Sequence, residues 1–240
     1  MKLSTNLLLL LLLAGFAASA SAQDGDKKCH LFILSGQSNM AGLKPAISFT
    51  PAVEKAFGAE NVVVVKDAQG GQPIRRWYKN WSAAIGDKGG DAEKQKNYGD
   101  LYERLIEKVK AELGSKKPDS ITFVWMQGEK DARERLGEFY SASFRGVVDQ
   151  LKSDLGRKDI NFVIGRLSDF DNENKRYPHW TRVREEQVKL AEGDAVGEWV
   201  DTDDLNGKGN GLHYDKEGYR VLGERFAEKA IKLVNEPKEK

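Results

Sequence analysis

The residues with the means to do chemistry fall in four short polar blocks, each directly after an apolar run. Ser38 stands in Gly36-Gln37-Ser38-Asn39-Met40-Ala41-Gly42, behind Leu31-Phe32-Ile33-Leu34. A buried strand that breaks into such a turn presents a hydroxyl at the carboxyl edge of a parallel sheet, where open α/β folds build their sites. Alone, a serine and glycine turn is more often chain punctuation. A serine also needs a base within hydrogen-bond reach before it can act as a nucleophile. Of the three histidines, His30 opens the first apolar run at the end opposite Ser38, and His179 sits in the Arg176-Tyr177-Pro178-His179-Trp180 loop. His213 follows the last apolar run in Gly211-Leu212-His213-Tyr214-Asp215, just before a helical pattern that begins near Lys216. It is therefore expected at the same edge as Ser38, as general base.

The elements that must position these blocks follow from the hydrophobic pattern. Apolar runs at Leu31–Ser35, Asn61–Lys66, Ile121–Gln127, Asn161–Arg166 and Gly197–Thr202 alternate with helical stretches, which is the signature of a parallel sheet covered on both faces. The expected fold class is α/β, a three-layer α/β/α sandwich around a parallel sheet of about five strands. Leu101, Leu105, Val109 and Leu113 give one amphipathic stripe, Phe139, Phe144, Val147, Val148 and Leu151 a second, and Tyr219, Leu222, Phe226 and Leu233 the last. The least patterned stretch, Arg76 to Asn97, reads as a surface excursion with a role.

Lys2, the apolar run from Leu7 to Ala18 and then Ala20-Ser21-Ala22 match a secretory signal, too short to span a bilayer. Residues 1–22 are therefore expected to be removed. The remaining 218 of 240 residues, 23–240, form one domain that is secreted or periplasmic, with no membrane insertion after cleavage. With Lys2 in the leader, the 38 Lys and Arg fall to 37, level with the 37 Asp and Glu. A neutral chain offers no electrostatic case for nucleic acid or a membrane surface. The single cysteine, Cys29, excludes an internal disulfide and has no partner at metal-ligand spacing, so no metal site is expected.

Gly36-Gln37-Ser38-Asn39-Met40-Ala41-Gly42, Gln69-Gly70-Gly71-Gln72-Pro73-Ile74, Trp125-Met126-Gln127-Gly128-Glu129-Lys130-Asp131 and the His213 segment resemble, in order, the blocks of the SGNH hydrolases. The resemblance is to their sialate O-acetylesterase and acetylxylan esterase branch, and it covers nearly the whole mature chain. It implies a flavodoxin-like SGNH fold, an O-acetylated carbohydrate substrate, a covalent acetyl-serine resolved by water, and no metal or organic cofactor. By the same resemblance, the Ser38 and Gly71 N–H groups and the Gln127 amide hold the oxyanion. An esterase for another acyl group is the alternative.

One position departs from the family. Most SGNH enzymes carry an Asp three residues before the histidine, where this chain has Asn210. An asparagine oxygen accepts the imidazole N–H but brings no charge to offset the imidazolium. Three resolutions stand: Glu129 supplies the carboxylate, which is favoured; Asp203, Asp204 or Asp215 reaches the imidazole; or turnover has fallen and the protein binds acetylated glycans. Arg75 and Arg76, beside Trp77 and Trp81, suit an acidic sugar through forked guanidinium contacts and ring stacking, or equally an ion pair with a neighbouring acid.

Overall fold

The computed structural model describes residues 28–86, 97–209 and 211–236. The expected leader, residues 23–27, residues 87–96 of the predicted excursion, Asn210 and residues 237–240 lie outside these residues. Five strands form one sheet: β1 (His30–Gly36), β2 (Val62–Ala68), β3 (Ser120–Met126), β4 (Ile160–Gly165) and β5 (Gly197–Val200). Every pairing is parallel, in the order β2-β1-β3-β4-β5. The helices between them are α1 (Ser38–Gly42), α2 (Phe49–Phe57), α3 (Trp81–Ile85), α4 (Asp100–Leu113), α5 (Glu129–Arg133), α6 (Tyr140–Asp154), α7 (Trp180–Glu192) and α8 (Lys216–Asn235).

The apolar runs are continuous because both faces of the sheet are buried. Leu31, Ile33, Phe123, Trp125, Phe162 and Ile164 turn to the side of α4, α6 and α7. Their alternating neighbours, among them Phe32, Leu34, Val124, Met126 and Val163, turn to the side of α2 and α8. Burying a large aliphatic or aromatic side chain contributes about 1.5–3 kcal/mol, so the two apolar layers dominate the stability of the domain. Among the described residues no helix is long and apolar enough to cross a membrane.

The expected strands are all present, with shifted ends. β2 runs on to Ala68 because it pairs with β1 as far as Gly36. β5 stops at Val200, and Thr202 instead gives its hydroxyl to the Arg166 carbonyl. In the described part of the 76–97 stretch Lys79, Asn80, Ser82 and Ala83 are exposed, while the two tryptophans turn inward. Trp77 and Trp81 are buried, and Trp77 packs edge-on against Trp125 of β3.

The chain goes from β1 outward to β2 and then returns past β1 to β3, so the strand order reverses direction between β1 and β3. In open α/β sheets that switch point is where a crevice forms outside the strand ends. Ala68, Gly36 and Met126 are register partners. The turns that follow β2, β1 and β3 therefore leave the sheet side by side.

Candidate active site

Ser38 is the first residue of α1, and the turn that carries it depends on Gly36. That glycine has φ +142°, and a Cβ there would sit 1.9 Å from the Met126 carbonyl oxygen. The Gln37 N–H donates to the same oxygen at 2.9 Å. The chain thus turns sharply off β1 while staying tied to β3. The five-residue helix α1 is held at its other end by Lys66 of β2, whose ammonium donates to the carbonyls of Met40, Ala41 and Leu43. A cation at a helix C-terminus also complements the macrodipole. The lysine is half-buried, and burial pulls its ammonium below the ordinary lysine range.

His213 lies in the loop between β5 and α8, as expected. Its Nε2 is 3.0 Å from Ser38 Oγ. The loop is closed by an antiparallel bridge between Asn206 and Tyr214 and by the Gly207 N–H donating to the His213 carbonyl at 3.2 Å. Asp215 then caps α8 by accepting from the Gly218 N–H at 2.9 Å. The other histidines sit away from this pair. His30 Nδ1 meets the Ser120 hydroxyl at 2.8 Å, and His179 Nδ1 accepts from the Gly137 N–H at 3.2 Å.

The donors expected for an oxyanion divide. Gly70 lies against the nucleophile, with its Cβ position 3.6 Å from Ser38 Cβ. Gly71 has φ +69° and open space around its Cβ position, so the backbone conformation rather than crowding calls for glycine. Among the described residues, neither the Ser38 nor the Gly71 N–H donates a hydrogen bond. Gln127 is a correction. It is fully buried, and its amide nitrogen donates to Asp131 Oδ2 and to the Gln72 carbonyl at 3.1 Å. Two acceptors consume both amide hydrogens. Gln127 therefore holds the loop that carries Gly71 rather than facing the serine.

Glu129 is a second correction. It is buried at the start of α5, but neither carboxylate oxygen bonds the imidazole. Oε1 accepts from Asn39 Nδ2 at 3.1 Å, and Oε2 has no hydrogen-bond partner. The alternative acids are also engaged elsewhere. Asp203 pairs with Arg166 and Arg184, Asp204 with Arg225, and Asp215 is the α8 cap. Asn210, the remaining candidate from the sequence, lies outside the described residues. Burial raises the carboxyl groups of Glu129 and Asp131 to about 7.

Arg75 and Trp77 do not form a sugar platform. Trp77 is 0% exposed and donates its indole N–H to the Ser35 hydroxyl at 3.0 Å. The Arg75 side chain is 13% exposed and ion-paired with Glu134 at 2.6 Å. Arg76 forks onto both Asp100 oxygens. The ion-pair reading of this cluster is the one the geometry supports, because the segment packs inward on Trp125 and leaves the rings no open face.

Sequence patterns missed Gln37, Asn39, Lys66 and Tyr219. Gln37 Oε1 accepts from the Lys130 N–H at 3.2 Å, tying the serine turn to α5. Asn39 Nδ2 also donates to the Leu212 carbonyl at 3.0 Å, and Asn39 Oδ1 accepts from the Tyr219 hydroxyl at 3.2 Å. A buried polar residue right beside a candidate nucleophile was the available signal for Asn39. Tyr219 was masked by its place in an apolar helical stripe.

A serine hydroxyl against an imidazole, with two unengaged backbone N–H groups beside it, suits acyl transfer. The same architecture occurs in solved structures. A protein of Arabidopsis thaliana superposes with a TM-score of 0.65 at 20% identity, over 87% of this chain and 99% of its own. A carbohydrate acetylesterase of Xanthomonas citri gives 0.64 at 18% identity, over 85% of this chain and 56% of its own. An inhibitor-bound aryl esterase of M. smegmatis gives 0.55 at 15% identity, over 85% of this chain and 100% of its own. At these identities the likeness is one of fold. No curated protein sequence matches this chain significantly. Residues 41–232 match the family described as carbohydrate esterase, sialic acid-specific acetylesterase, so this chain belongs to that family and is a carboxylic ester hydrolase.

Proposed function

We propose that this protein is an exported serine esterase that removes O-acetyl groups from carbohydrates through an acetyl-serine intermediate. The 3.0 Å approach of His213 Nε2 to Ser38 Oγ carries the reading. Ser38 Oγ attacks the acetyl carbonyl while His213 takes its proton, and the Ser38 and Gly71 N–H groups receive the negative oxygen. Collapse breaks the bond to the sugar oxygen, which leaves with the proton from His213. Water, deprotonated by His213, then attacks the acetyl-serine, and acetate departs as Ser38 regains its proton. Asn210, three residues before His213, is the sequence's candidate for orienting the imidazole. Export rests on residues 1–22, and the sugar substrate on the family.

The test is acetate release from acetylated xylan and from an O-acetylated sialic acid, with Ser38→Ala beside the wild type. Release by the wild type alone is expected. Equal release by the variant rejects the acetyl-serine. A peak on octanoate in a chain-length series of aryl esters moves the reading to another acyl group. Glycan binding that survives Ser38→Ala, with no acetate released by either protein, indicates a binding relative.

A further inference from the structure

Asn39 spends the hydrogen-bonding capacity of its side chain on three separate parts of the protein. Its nitrogen donates to Glu129 Oε1 at 3.1 Å and to the Leu212 carbonyl at 3.0 Å, and its oxygen accepts from the Tyr219 hydroxyl at 3.2 Å. Leu212 directly precedes His213, and Tyr219 is in the first turns of α8, the helix that leaves the same loop. Asn39 itself directly follows Ser38. A single planar amide therefore ties the nucleophile's turn to the base's loop, at a residue 2% exposed.

The surroundings are shaped for that contact. A Cβ at Gly42 would lie 2.4 Å from the Tyr219 hydroxyl oxygen and 2.3 Å from its Cζ. Gly42 thus supplies the space through which Tyr219 reaches Asn39. Glu129, an acid buried without a cationic partner at hydrogen-bond distance, presents its one engaged oxygen to the amide nitrogen. The Leu212 carbonyl can only accept, so with Glu129 Oε1 it draws the nitrogen end of the amide and leaves the oxygen end to the Tyr219 hydroxyl. In that orientation the second N–H points at Leu212.

We propose that Asn39 is a positioning residue for ester hydrolysis, setting the approach of His213 to Ser38 through the Leu212 carbonyl, with Glu129 and Tyr219 fixing the amide. The inference rests on the assignment of Ser38 and His213 made above. Asn39 acts without contacting the reacting atoms. It also gives Glu129 a function in place of the direct imidazole contact expected from sequence.

The experiment measures kcat and KM on 4-nitrophenyl acetate for single and double variants. Asn39→Ala is expected to lower kcat about 10- to 100-fold, the scale of a small misplacement of catalytic groups, with KM within about threefold. Tyr219→Phe, which keeps the ring and removes the hydroxyl, is expected to lower kcat about two- to tenfold by the same route. Glu129→Gln keeps a carbonyl acceptor for Asn39 and is expected to lose less than Glu129→Ala. In a His213→Ala background, neither Asn39→Ala nor Tyr219→Phe lowers the residual rate further, because the group they act through is gone. Losses that persist in full in that background, or a Tyr219→Phe protein with wild-type kcat, overturn the proposal. Tyr219→Phe carries the test alone where Asn39→Ala does not fold. A His213→Ala protein with wild-type kcat overturns the Ser38 and His213 assignment itself, an outcome distinct from additive losses.

Discussion

The α-carbon of Gly36 faces the Met126 carbonyl so closely that a Cβ there would stand 1.9 Å from its oxygen, and the adjacent Gln37 N–H uses that same oxygen as its acceptor. The turn that delivers Ser38 is built on this contact between two neighbouring strands. Gly36→Ala must both strain φ and push β1 away from β3. It is expected to destabilise the protein by more than about 4 kcal/mol, a cost reserved for such overlaps. Urea unfolding monitored by tryptophan fluorescence measures it.

Lys66 closes the far end of α1. Lys66→Met keeps the aliphatic stem and removes the ammonium, leaving the carbonyls of Met40, Ala41 and Leu43 without that donor. A loss of about 1–3 kcal/mol in unfolding free energy is expected, the cost of unsatisfied polar groups. Because Ser38 rides on the same five residues, kcat should fall with it. Denaturant midpoints and steady-state rates together check both effects.

Glu129 and Asp131 predict a pH effect whose sign is fixed. Burial raises both to about 7, above the range they hold in the unfolded chain. The folded state therefore binds more protons, and the stability they contribute is present below the unfolded value and lost as pH rises through 7. The slope is at most about 1.4 kcal/mol per pH unit for each group. His30 and His179, which burial lowers below the ordinary histidine range, act oppositely. The readout is thus a comparison: between pH 5 and 8 the stability of Glu129→Gln should decline less than that of the wild type, as urea midpoints at each pH will report.

Asn210 stands where most SGNH hydrolases carry Asp. Asn210→Asp supplies a charge to offset the imidazolium and is expected to raise kcat about tenfold or more, the direction seen when a serine protease triad regains its acid. Burst kinetics on 4-nitrophenyl acetate would show whether acylation is the step that quickens.

The strands were legible because burial on both sheet faces leaves unbroken apolar runs such as Leu31 to Leu34. The meeting of Ser38 and His213 was legible because each follows such a run, and parallel pairing brings those ends to one edge. The directions of Gln127 and Glu129 were not legible. Spacing placed both at the end of β3, but only packing decides that Gln127 turns to Asp131 and Glu129 to Asn39. Arg75 beside Trp77 read as well for an acidic sugar as for an ion pair with a neighbouring acid. The choice depended on the edge-on contact of Trp77 with Trp125, a residue 48 positions away whose neighbourhood no local pattern reports.

Ser38 and His213 are separated by 175 positions, and the loop that carries His213 is closed by the bridge between Asn206 and Tyr214. No fragment that stops short of Tyr214 has both halves of the pair and the bridge that closes the loop. On the proposed assignment of Ser38 and His213, a chain still being synthesised stays inert toward esters until its last segment docks, and the onset of hydrolysis is a direct clock for the completion of folding.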